Sequence, residues 1–224
     1  MGVIYAITII VLWFVHLVYI FLEVRTDFMS PLFYAHIILQ TYLFTGLFIT
    51  AHDSMHGSIS TNKKLNTLIG VISSFLFAGL SYKRLLDNHK LHHRYPGTEK
   101  DPDYSTRTQN LFYWWVIFLS HYVSLIQIII MAIVFNILKL FADEISIISF
   151  WVAPAILSTI QLFYFGTYKP HMEPHDEKMK PHNARTLKRN HIWAMLSCYF
   201  FGYHLEHHES PSTPWWKMYR LKKN

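Results

Sequence analysis

Cysteine is almost absent from this sequence, because Cys198 is the only one in 224 residues. An intramolecular disulfide and a Cys-rich zinc or iron–sulfur site are therefore excluded, so any metal site must use nitrogen and oxygen ligands. The sequence also lacks the G-x-G-x-x-G fingerprint of flavin and nicotinamide sites. Internal repeats, low-complexity tracts and flexible linkers are missing as well, and we expect a single domain over residues 1–224.

Charged residues are scarce too. They make up 15% of the chain, whereas hydrophobic residues make up 52% and aromatic residues 17%. This composition predicts an integral membrane protein. The formal net charge of +6 is compatible with nucleic-acid binding, but in so apolar a chain we attribute it to membrane topology and expect no nucleic-acid partner.

Four apolar runs are long enough to cross a hydrocarbon core of about 30 Å as helices. They are residues 3–22, 32–51, 111–138 and 145–168, the last with an expected kink at Pro154. Residues 65–82 are apolar but interrupted by glycine and serine, and we predict a re-entrant or interfacial hairpin there. A shorter apolar run at 191–203 predicts an interfacial helix. The expected fold is an all-α membrane bundle of about four transmembrane helices.

The distribution of lysine and arginine predicts the orientation of this bundle. The predicted loops 23–31 and 139–144 contain only Arg25 and Lys139, so the other 18 of the 20 basic residues lie on the opposite side. By the positive-inside rule that side is cytoplasmic. Both termini and a histidine-rich cap are then expected at the cytoplasmic face of the inner (plasma) membrane.

Histidine is abundant, with 15 residues, and eight of them form three clusters. The clusters are His52 with His56, then His89, His92 and His93, and finally His204, His207 and His208. Positions i, i+3 and i+4 share one face of a helix, so the third cluster predicts a chelating surface if the preceding helix continues through it. The second cluster falls in the polar segment 83–110, which we predict to be a loop.

Eight imidazoles exceed the four to six ligands that one ion takes, which indicates two ions. Imidazole suits zinc, copper, iron or nickel. An H-E-x-x-H zinc hydrolase is a poor match because Asp53 follows His52, and the Glu-x-x-His motif of soluble di-iron bundles is absent. The hairpin at 65–82 matters here, since a single crossing would leave the first two clusters on opposite sides of the membrane. A non-catalytic metal carrier or sensor remains an alternative.

The sequence around the clusters, from His52 to Lys217, resembles the membrane fatty-acid desaturase/hydroxylase superfamily and, within it, the bacterial β-carotene 4-ketolases. The motifs that carry the resemblance are His52-Asp53-Ser54-Met55-His56-Gly57, Leu65-Asn66 with Ile69-Gly70, Tyr82-Lys83-Arg84-Leu85-Leu86, Pro96-Gly97-Thr98, Asp101-Pro102-Asp103-Tyr104, Phe165-Gly166-Thr167-Tyr168 with Pro170-His171, His182-Asn183-Ala184-Arg185, Phe201-Gly202-Tyr203-His204, Glu206-His207-His208 and Pro214-Trp215-Trp216. Lys169 and Met218-Tyr219 depart from the pattern usual in that family.

The resemblance implies a di-iron enzyme that oxidises ring carbon 4 of a carotenoid β-ionone with O₂. Two successive hydroxylations at that carbon, followed by loss of water, would give a ketone. Substrates would come from the bilayer, with β-carotene giving echinenone and canthaxanthin and hydroxylated zeaxanthin giving astaxanthin. A carotenoid ring hydroxylase or a fatty-acid desaturase with the same di-iron site is the alternative.

Electrons would come from an external donor, for which ferredoxin is expected. A basic face at residues 178–189 favours an acidic carrier, although positive-inside bias explains it equally well. The residues are Lys178, Lys180, Arg185, Lys188 and Arg189.

Superfamily members add a ninth ligand between the second and third clusters. We expect His171 in this role, with His175 and His191 as alternatives. His121 lies inside a predicted span and is the candidate for contact with the substrate, although bonding of a neutral imidazole to a neighbouring helix explains its position more simply.

Three carboxylates stand close to the clusters in sequence. Asp53, Asp101 and Asp103 are candidates to accept hydrogen bonds from the ligating imidazoles, which would set their tautomer and orientation. Helix capping or turn formation is the alternative role. Glu206 belongs to the third cluster but projects away from its histidines, so it is a weaker candidate for hydrogen bonding to them.

Overall fold

The computed structural model describes residues 1–222, in which α-helices are joined by short loops and no strand occurs. The helices are α1 (Gly2–Glu23), α2 (Pro31–Met55), α3 (Lys63–Ala78), α4 (Tyr82–Arg94), α5 (Leu111–Tyr122), α6 (Leu125–Leu138), α7 (Glu144–His171), α8 (His191–Cys198) and α9 (His204–Glu209), with short 3₁₀ turns at Glu177–Met179 and Trp215–Arg220. The all-α prediction is confirmed.

The first two apolar runs form α1 and α2, as predicted. Pro31 occupies the first turn of α2, where its missing N–H costs no hydrogen bond. Only one stripe of α1 is buried, and it repeats every three or four residues from Ala6 to Ile20. The large apolar side chains on its other faces are exposed, as expected for a helix surrounded by lipid.

Most of residues 65–82 form helix α3, which ends in a break at Gly79, whose φ of 63° is left-handed and therefore suits glycine. The bent pair of α3 and α4 is compatible with the predicted re-entrant segment, but its turn lies at the end of 65–82 rather than within it. Beyond the break the chain turns by 101° into α4. The second histidine cluster therefore lies on a helix rather than in the loop that we predicted for 83–110. The chain nevertheless returns to the end of α2, as the shared site requires.

Residues 111–138 are not one continuous span either. They form α5 and α6, which are bent by 93° at Val123 and Ser124. Both residues have extended backbone, and the Ser124 side chain accepts a hydrogen bond from the N–H of Gln127, so a new helix begins there. No residue of α6 is buried. This helix is therefore at the edge of the bundle.

Helix α7 is a single helix with two wide π-helical turns, Ile148–Val152 and Tyr164–Tyr168. Each π turn ends two residues before a proline, Pro154 or Pro170. A proline lacks the N–H of the α-helical ladder and its ring collides with the carbonyl four residues earlier, so a wider turn relieves both problems. The kink expected at Pro154 thus takes the form of a π turn.

The last apolar run forms the short helix α8, which does not continue into the third cluster. Tyr199 and Phe200 have positive φ values of 47° and 61°, and left-handed residues end a right-handed helix. The chain reverses, and α9 begins afresh at His204. The third cluster therefore occupies its own short helix.

Three helices are long and apolar enough to cross a membrane, namely α1, α2 and α7, and up to five spans result if each bent pair counts as one. The buried core runs along α2, where Phe44 and Leu47 are fully enclosed and pack with α1 residues such as Trp13 and α7 residues such as Trp151. This arrangement brings the end of α2, α4, the end of α7 and α9 together.

Candidate metal centre

The histidines of all three clusters meet in one buried space. His52 lies in the last turn of α2 and His56 just beyond it. Helix α4 contributes His89, His92 and His93, whereas α9 contributes His204, His207 and His208. Clusters far apart in the chain are therefore neighbours. Seven of their eight histidines, together with His171, form two compact groups of four imidazoles.

The first group consists of His52, His56, His89 and His207. One ring nitrogen from each lies within 4.8 Å of those of the other three. The Nε2 atoms of His56 and His89 are 2.7 Å apart, and the buried Nε2 of His52 has no hydrogen-bond partner. Four imidazole nitrogens thus face a common point.

The second group consists of His92, His171, His204 and His208, and all four are buried. The Nε2 atom of His208 is 3.1 Å from that of His92 and 3.1 Å from that of His204, and the remaining pair is 3.4 Å apart. The Nε2 of His171 is buried without a partner. Hydrogen bonds alone cannot satisfy this triangle, because one N–H can point along only one edge.

The separations of 3.1–3.4 Å in the second group fit metal coordination, and the 2.7 Å pair of the first group is somewhat closer. Two imidazole nitrogens bound to one ion at about 2.1 Å, with angles of 90–109° between them, are about 3.0–3.4 Å apart. The donor set consists entirely of nitrogen, which suits iron, zinc or copper. The residues present therefore fit one ion in each group.

The third cluster does not form the single chelating face that we predicted. His204 and His208 belong to the second group, whereas His207 belongs to the first. Adjacent residues on a helix point about 100° apart, so His207 and His208 cannot reach the same ion. Helix α4 is divided in the same way, since His89 belongs to the first group and His92 to the second. Two ions can therefore share both helices.

His93 lies between the two groups. Its Nε2 is 2.9 Å from that of His207, and its ring centroid is 4.5 Å from those of both His89 and His208. Its assignment as a metal ligand stays a prediction, and because its neighbour His92 belongs to the second group, His93 is placed to serve the first ion.

The histidines of α9 are held in the neutral form. Burial, and secondly the neighbouring imidazoles, lowers the pKa of His204, His207 and His208 well below the usual range for histidine. A neutral imidazole offers the lone pair that a metal ligand requires. The three histidines of α9 are therefore in the protonation state that binds cations.

His171 fits the ninth-ligand prediction better than its rivals. It ends α7 just after the second π turn, and its Nδ1–H donates to the carbonyl oxygen of Asn183 at 2.9 Å, which directs Nε2 into the second group. His175 instead donates to the carbonyl of His171, and His191 bonds the Tyr203 hydroxyl. Neither alternative belongs to either group.

Asp101 is the carboxylate most closely joined to the site. It is 3% exposed, and it accepts hydrogen bonds from His92 Nδ1 at 3.0 Å and from the N–H groups of Gly97 and Asp103. Burial raises the pKa of the Asp101 carboxyl, but the charge and hydrogen bond of His92 more than offset this and lower it overall. An ionised Asp101 therefore orients His92 through Nδ1 and, against the opposing effect of burial, raises the pKa of His92 to about 9, so a metal bound at Nε2 would displace a proton.

The other two carboxylates lie farther from the histidine nitrogens than Asp101 does. Asp53 Oδ1 lies 3.5 Å from His52 Nδ1, while its Oδ2 accepts from the N–H of Trp215 at 2.9 Å. Asp103 Oδ2 lies 3.9 Å from His92 Nδ1, and its Oδ1 accepts from the hydroxyl of Tyr122. Nothing in the sequence pattern had singled out Tyr122, since its partner is nineteen residues away.

Two further contacts anchor the third cluster. Glu206 projects away from the histidines, as predicted, and accepts from Lys222 Nζ at 3.0 Å and from Thr186 at 2.6 Å. The ring of Phe201 packs directly on Gly166 of α7, at a distance that leaves no room for a Cβ there. Phe201 also meets the ring of His52, with centroids 5.0 Å apart.

A large apolar cavity of about 770 Å³ lies beside the histidines, between α2, α5, α6 and α7. A narrow space of about 40 Å³ continues from it to His52, His89, His92 and His204. His121, the predicted substrate contact, is not among the residues that line either space. Its neighbour Tyr122 lines both.

On another side, a surface cavity of about 350 Å³ reaches the first group. His56, His89 and His93 line it, and each is partly exposed. Lys90 and Arg94 stand on the same wall. The histidine site is thus approached by an apolar space and by a basic, water-facing one.

Long apolar helices and two buried groups of four histidines define a membrane-bound oxygenase of the non-haem di-metal class. Comparison with known proteins agrees, because the family model described as fatty acid desaturase matches residues 29–144 and 121–224. The chain belongs to this family and, within it, to the β-carotene ketolases.

Several relatives carry the narrower assignment. The β-carotene ketolase of Paracoccus sp. (strain PC1) is 38% identical over 186 residues, which are 82% of this chain and 76% of that protein. The β-carotene ketolase of Paracoccus sp. (strain N81106 / MBIC 01143) is 36% identical over 80% of this chain and 74% of its own. The zeaxanthin 4-ketolase of Chlamydomonas reinhardtii is 36% identical over 81% of this chain and 42% of its own. No solved structure gives a significant match.

The role of Asp101 is testable by replacing it with asparagine. In D101N one carboxylate oxygen becomes an NH₂ group, which cannot accept a hydrogen bond from the N–H groups that now point at Asp101. We therefore expect His92 to lose its fixed orientation. We expect iron affinity to fall about 10–100-fold, measured as the chelator concentration that removes half of the bound iron. Asp87→Asn is the control, because Asp87 is an exposed carboxylate on α4 paired with Lys83. Equal iron retention in D101N and D87N would show that Asp101 does not support the site.

Proposed function

We propose that this protein is a carotenoid ketolase that uses O₂ to oxidise ring carbon 4 of β-ionone rings. The observation that carries the proposal is the apolar cavity of about 770 Å³, which leads through a narrow space to both histidine groups. Pockets of 300–1,000 Å³ are typical ligand sites, and this one suits a ring on a long hydrocarbon chain. The ketolase relatives supply the substrate class and the position of oxidation.

Two iron ions are the proposed cofactor, with one held by His52, His56, His89 and His207 and the other by His92, His171, His204 and His208. His93 lies where it could complete the first set. Iron bound there would supply the activation of O₂ and the removal of hydrogen from carbon 4. The chain's own residues hold the ligands in place, above all Asp101 through His92 and the Asn183 carbonyl through His171.

The reaction follows from the chemistry of one ring carbon. Each oxidation converts C–H to C–OH and consumes one O₂, two electrons and two protons, with one water released. A second oxidation at the same carbon gives a geminal diol, which loses water to become the ketone. β-Carotene would thus give echinenone and then canthaxanthin, and zeaxanthin would give astaxanthin. The apolar walls of the cavity would exclude bulk water from the reacting ring.

The orientation in the membrane is proposed from charge. Only Arg25 and Lys139 fall in the loops at the far end of the predicted bundle, and Lys139 forms an ion pair with Glu144. The remaining basic residues lie with the histidines, which favours a cytoplasmic site in the inner membrane and about four crossings. The substrate would then enter the cavity from the bilayer, with the single domain spanning residues 1–224.

We place the electron donor, a ferredoxin-type acidic carrier, at the surface cavity rather than on residues 178–189. In that segment Lys180 pairs with Glu177, and Arg185 donates to the carbonyls of Met172 and Pro174. Lys178, Lys188 and Arg189 remain exposed there, just as Lys90 and Arg94 are exposed at the cavity, and none of these five forms an ion pair among residues 1–222. What distinguishes the cavity is that it opens onto the site. Three histidines of the site line the same opening. An acidic protein docked there would be steered by charge to the ligands nearest the surface.

Expression in a β-carotene-producing bacterium tests the proposed reaction. A ketone conjugated with the polyene shifts its absorption to the red, and we expect canthaxanthin and echinenone in the extracted pigment. His207→Ala, which removes one predicted ligand, is the inactive control. Hydroxylated pigment without a ketone would favour a ring hydroxylase, while unchanged β-carotene despite good membrane expression would leave a desaturase. Bound zinc without O₂ consumption would indicate a metal carrier.

The docking proposal predicts that charge reversal raises the KM for ferredoxin at the surface cavity but not on residues 178–189. K90E/R94E should raise the KM for reduced ferredoxin about tenfold or more at low salt, and the difference should shrink as ionic strength rises. Turnover with a small uncharged reductant should stay near that of the parent.

K178E/K188E is the matched control, since it reverses two exposed charges on the other basic segment. Its KM for ferredoxin should stay near the parent value. Equal effects in both double variants, or an effect only in the control, would rule out the surface cavity as the docking site.

A further inference from the structure

Five residues line both the apolar cavity and the narrow space at the histidines, and we call them the collar. They are Phe48, Leu85, Phe118, Tyr122 and Leu162. A ring that travels from the large cavity to the metal site must pass between them. Four of the five side chains are purely apolar, and Tyr122 carries the one polar group of the collar.

The Tyr122 hydroxyl is already committed. It donates a hydrogen bond to Oδ1 of Asp103, so the phenol presents its ring rather than its oxygen to the passage. The ring of Phe118, one turn earlier on α5, packs against it with centroids 4.9 Å apart. The Tyr122 ring therefore forms part of the wall of the passage, and its hydrogen bond to Asp103 fixes the orientation of the ring.

Asp103 relates this wall to the metal site. Its N–H donates to Asp101 at 2.9 Å, and its carbonyl accepts from Trp114 Nε1 at 2.8 Å. Asp101 in turn holds His92 of the second group. Three consecutive hydrogen bonds, from Tyr122 to Asp103, from Asp103 to Asp101 and from His92 to Asp101, thus join the Tyr122 ring to a predicted metal ligand.

The backbone on either side of Tyr122 is hydrogen-bonded to α4, the helix that carries His92. Tyr122 is the last residue of α5, directly before the 93° bend. On either side, the carbonyl of His121 accepts from Asn88 at 3.2 Å and that of Val123 accepts from Arg84 at 3.4 Å. Both donors belong to α4, which carries the second histidine cluster. These two hydrogen bonds fix the end of α5, and with it Tyr122, relative to the histidines of α4.

From this geometry we infer that Tyr122 is a positioning residue that keeps the substrate ring in register for two successive oxidations of the same carbon. The inference rests on the proposed ketolase function. Carbon 4 is allylic, so its C–H bond is weak and the first oxidation needs little selection. The second oxidation competes with release of the ring alcohol, and a misplacement of about 1 Å can cost 10²-fold in rate.

The test is Tyr122→Phe, which keeps the ring and removes the tether to Asp103. We expect the ratio of 4-hydroxylated product to ketone to rise about tenfold or more, because the alcohol leaves before its second oxidation. Total substrate consumption should change much less than this ratio. A second readout needs no metal: the induced circular dichroism of β-carotene bound to the metal-free protein should change, because the ring no longer has one fixed orientation.

Tyr104→Phe is the matched control. Tyr104 also donates its hydroxyl to a carboxylate, Glu173 Oε1 at 2.6 Å, but it lies outside the collar. Y104F should keep both the product ratio and the dichroism of the parent. Should Y122F not accumulate in the membrane, Y122M of similar length takes its place in both measurements.

An unchanged ratio and an unchanged dichroism in the Tyr122 variant would overturn the inference, as would an equal change in Y104F. Failure of the proposed function looks different, because the parent protein itself would then form no ketone.

Discussion

Eight imidazoles whose nitrogens face one another in two groups are the constraint on which this structure depends. Within the two groups, several ring nitrogens are 2.7–3.4 Å apart, and burial keeps the rings of α9 neutral. Neutral nitrogens arranged around a common point repel each other unless a cation lies between them. The bends before α4, the π turn before His171 and the chain reversal before α9 all serve to bring these rings together.

The surroundings of the site separate two kinds of access. The apolar cavity lies between the membrane helices and suits a hydrocarbon, whereas the surface cavity is lined by Lys90 and Arg94 and faces water. A reaction that combines a lipid-soluble substrate with electrons from a soluble protein needs both routes. In the proposed account, the ring and the electron donor approach the metals from different sides and do not compete for space.

Much of this could be predicted from the sequence, because spacing along a helix is a local property. Composition and motif predicted the cluster histidines and the first two membrane helices. They also named Asp101, with Asp53 and Asp103, as a candidate to accept a hydrogen bond from a cluster histidine. They did not predict the division of His204 and His208 from His207, although the 100° step between adjacent helical residues contains it. The bend at Val123 was missed because it lies within an apolar run, and hydropathy does not register a change of direction. A reversal was expected within 65–82, but its position at Gly79 was not. Tyr122 was missed because its importance arises only where α5 ends against Asp103.

The central claim is that two ions are held in a divided set of histidines. Its most direct test is the iron content of the purified protein after anaerobic loading with Fe(II) and removal of loosely bound metal, measured together with its Mössbauer spectrum. The account predicts about two irons per chain in nitrogen-rich sites, and about one iron per chain in His207→Ala, which removes a ligand of the first group only. A single iron per chain in the parent protein, or an iron content that His207→Ala leaves unchanged, would contradict it.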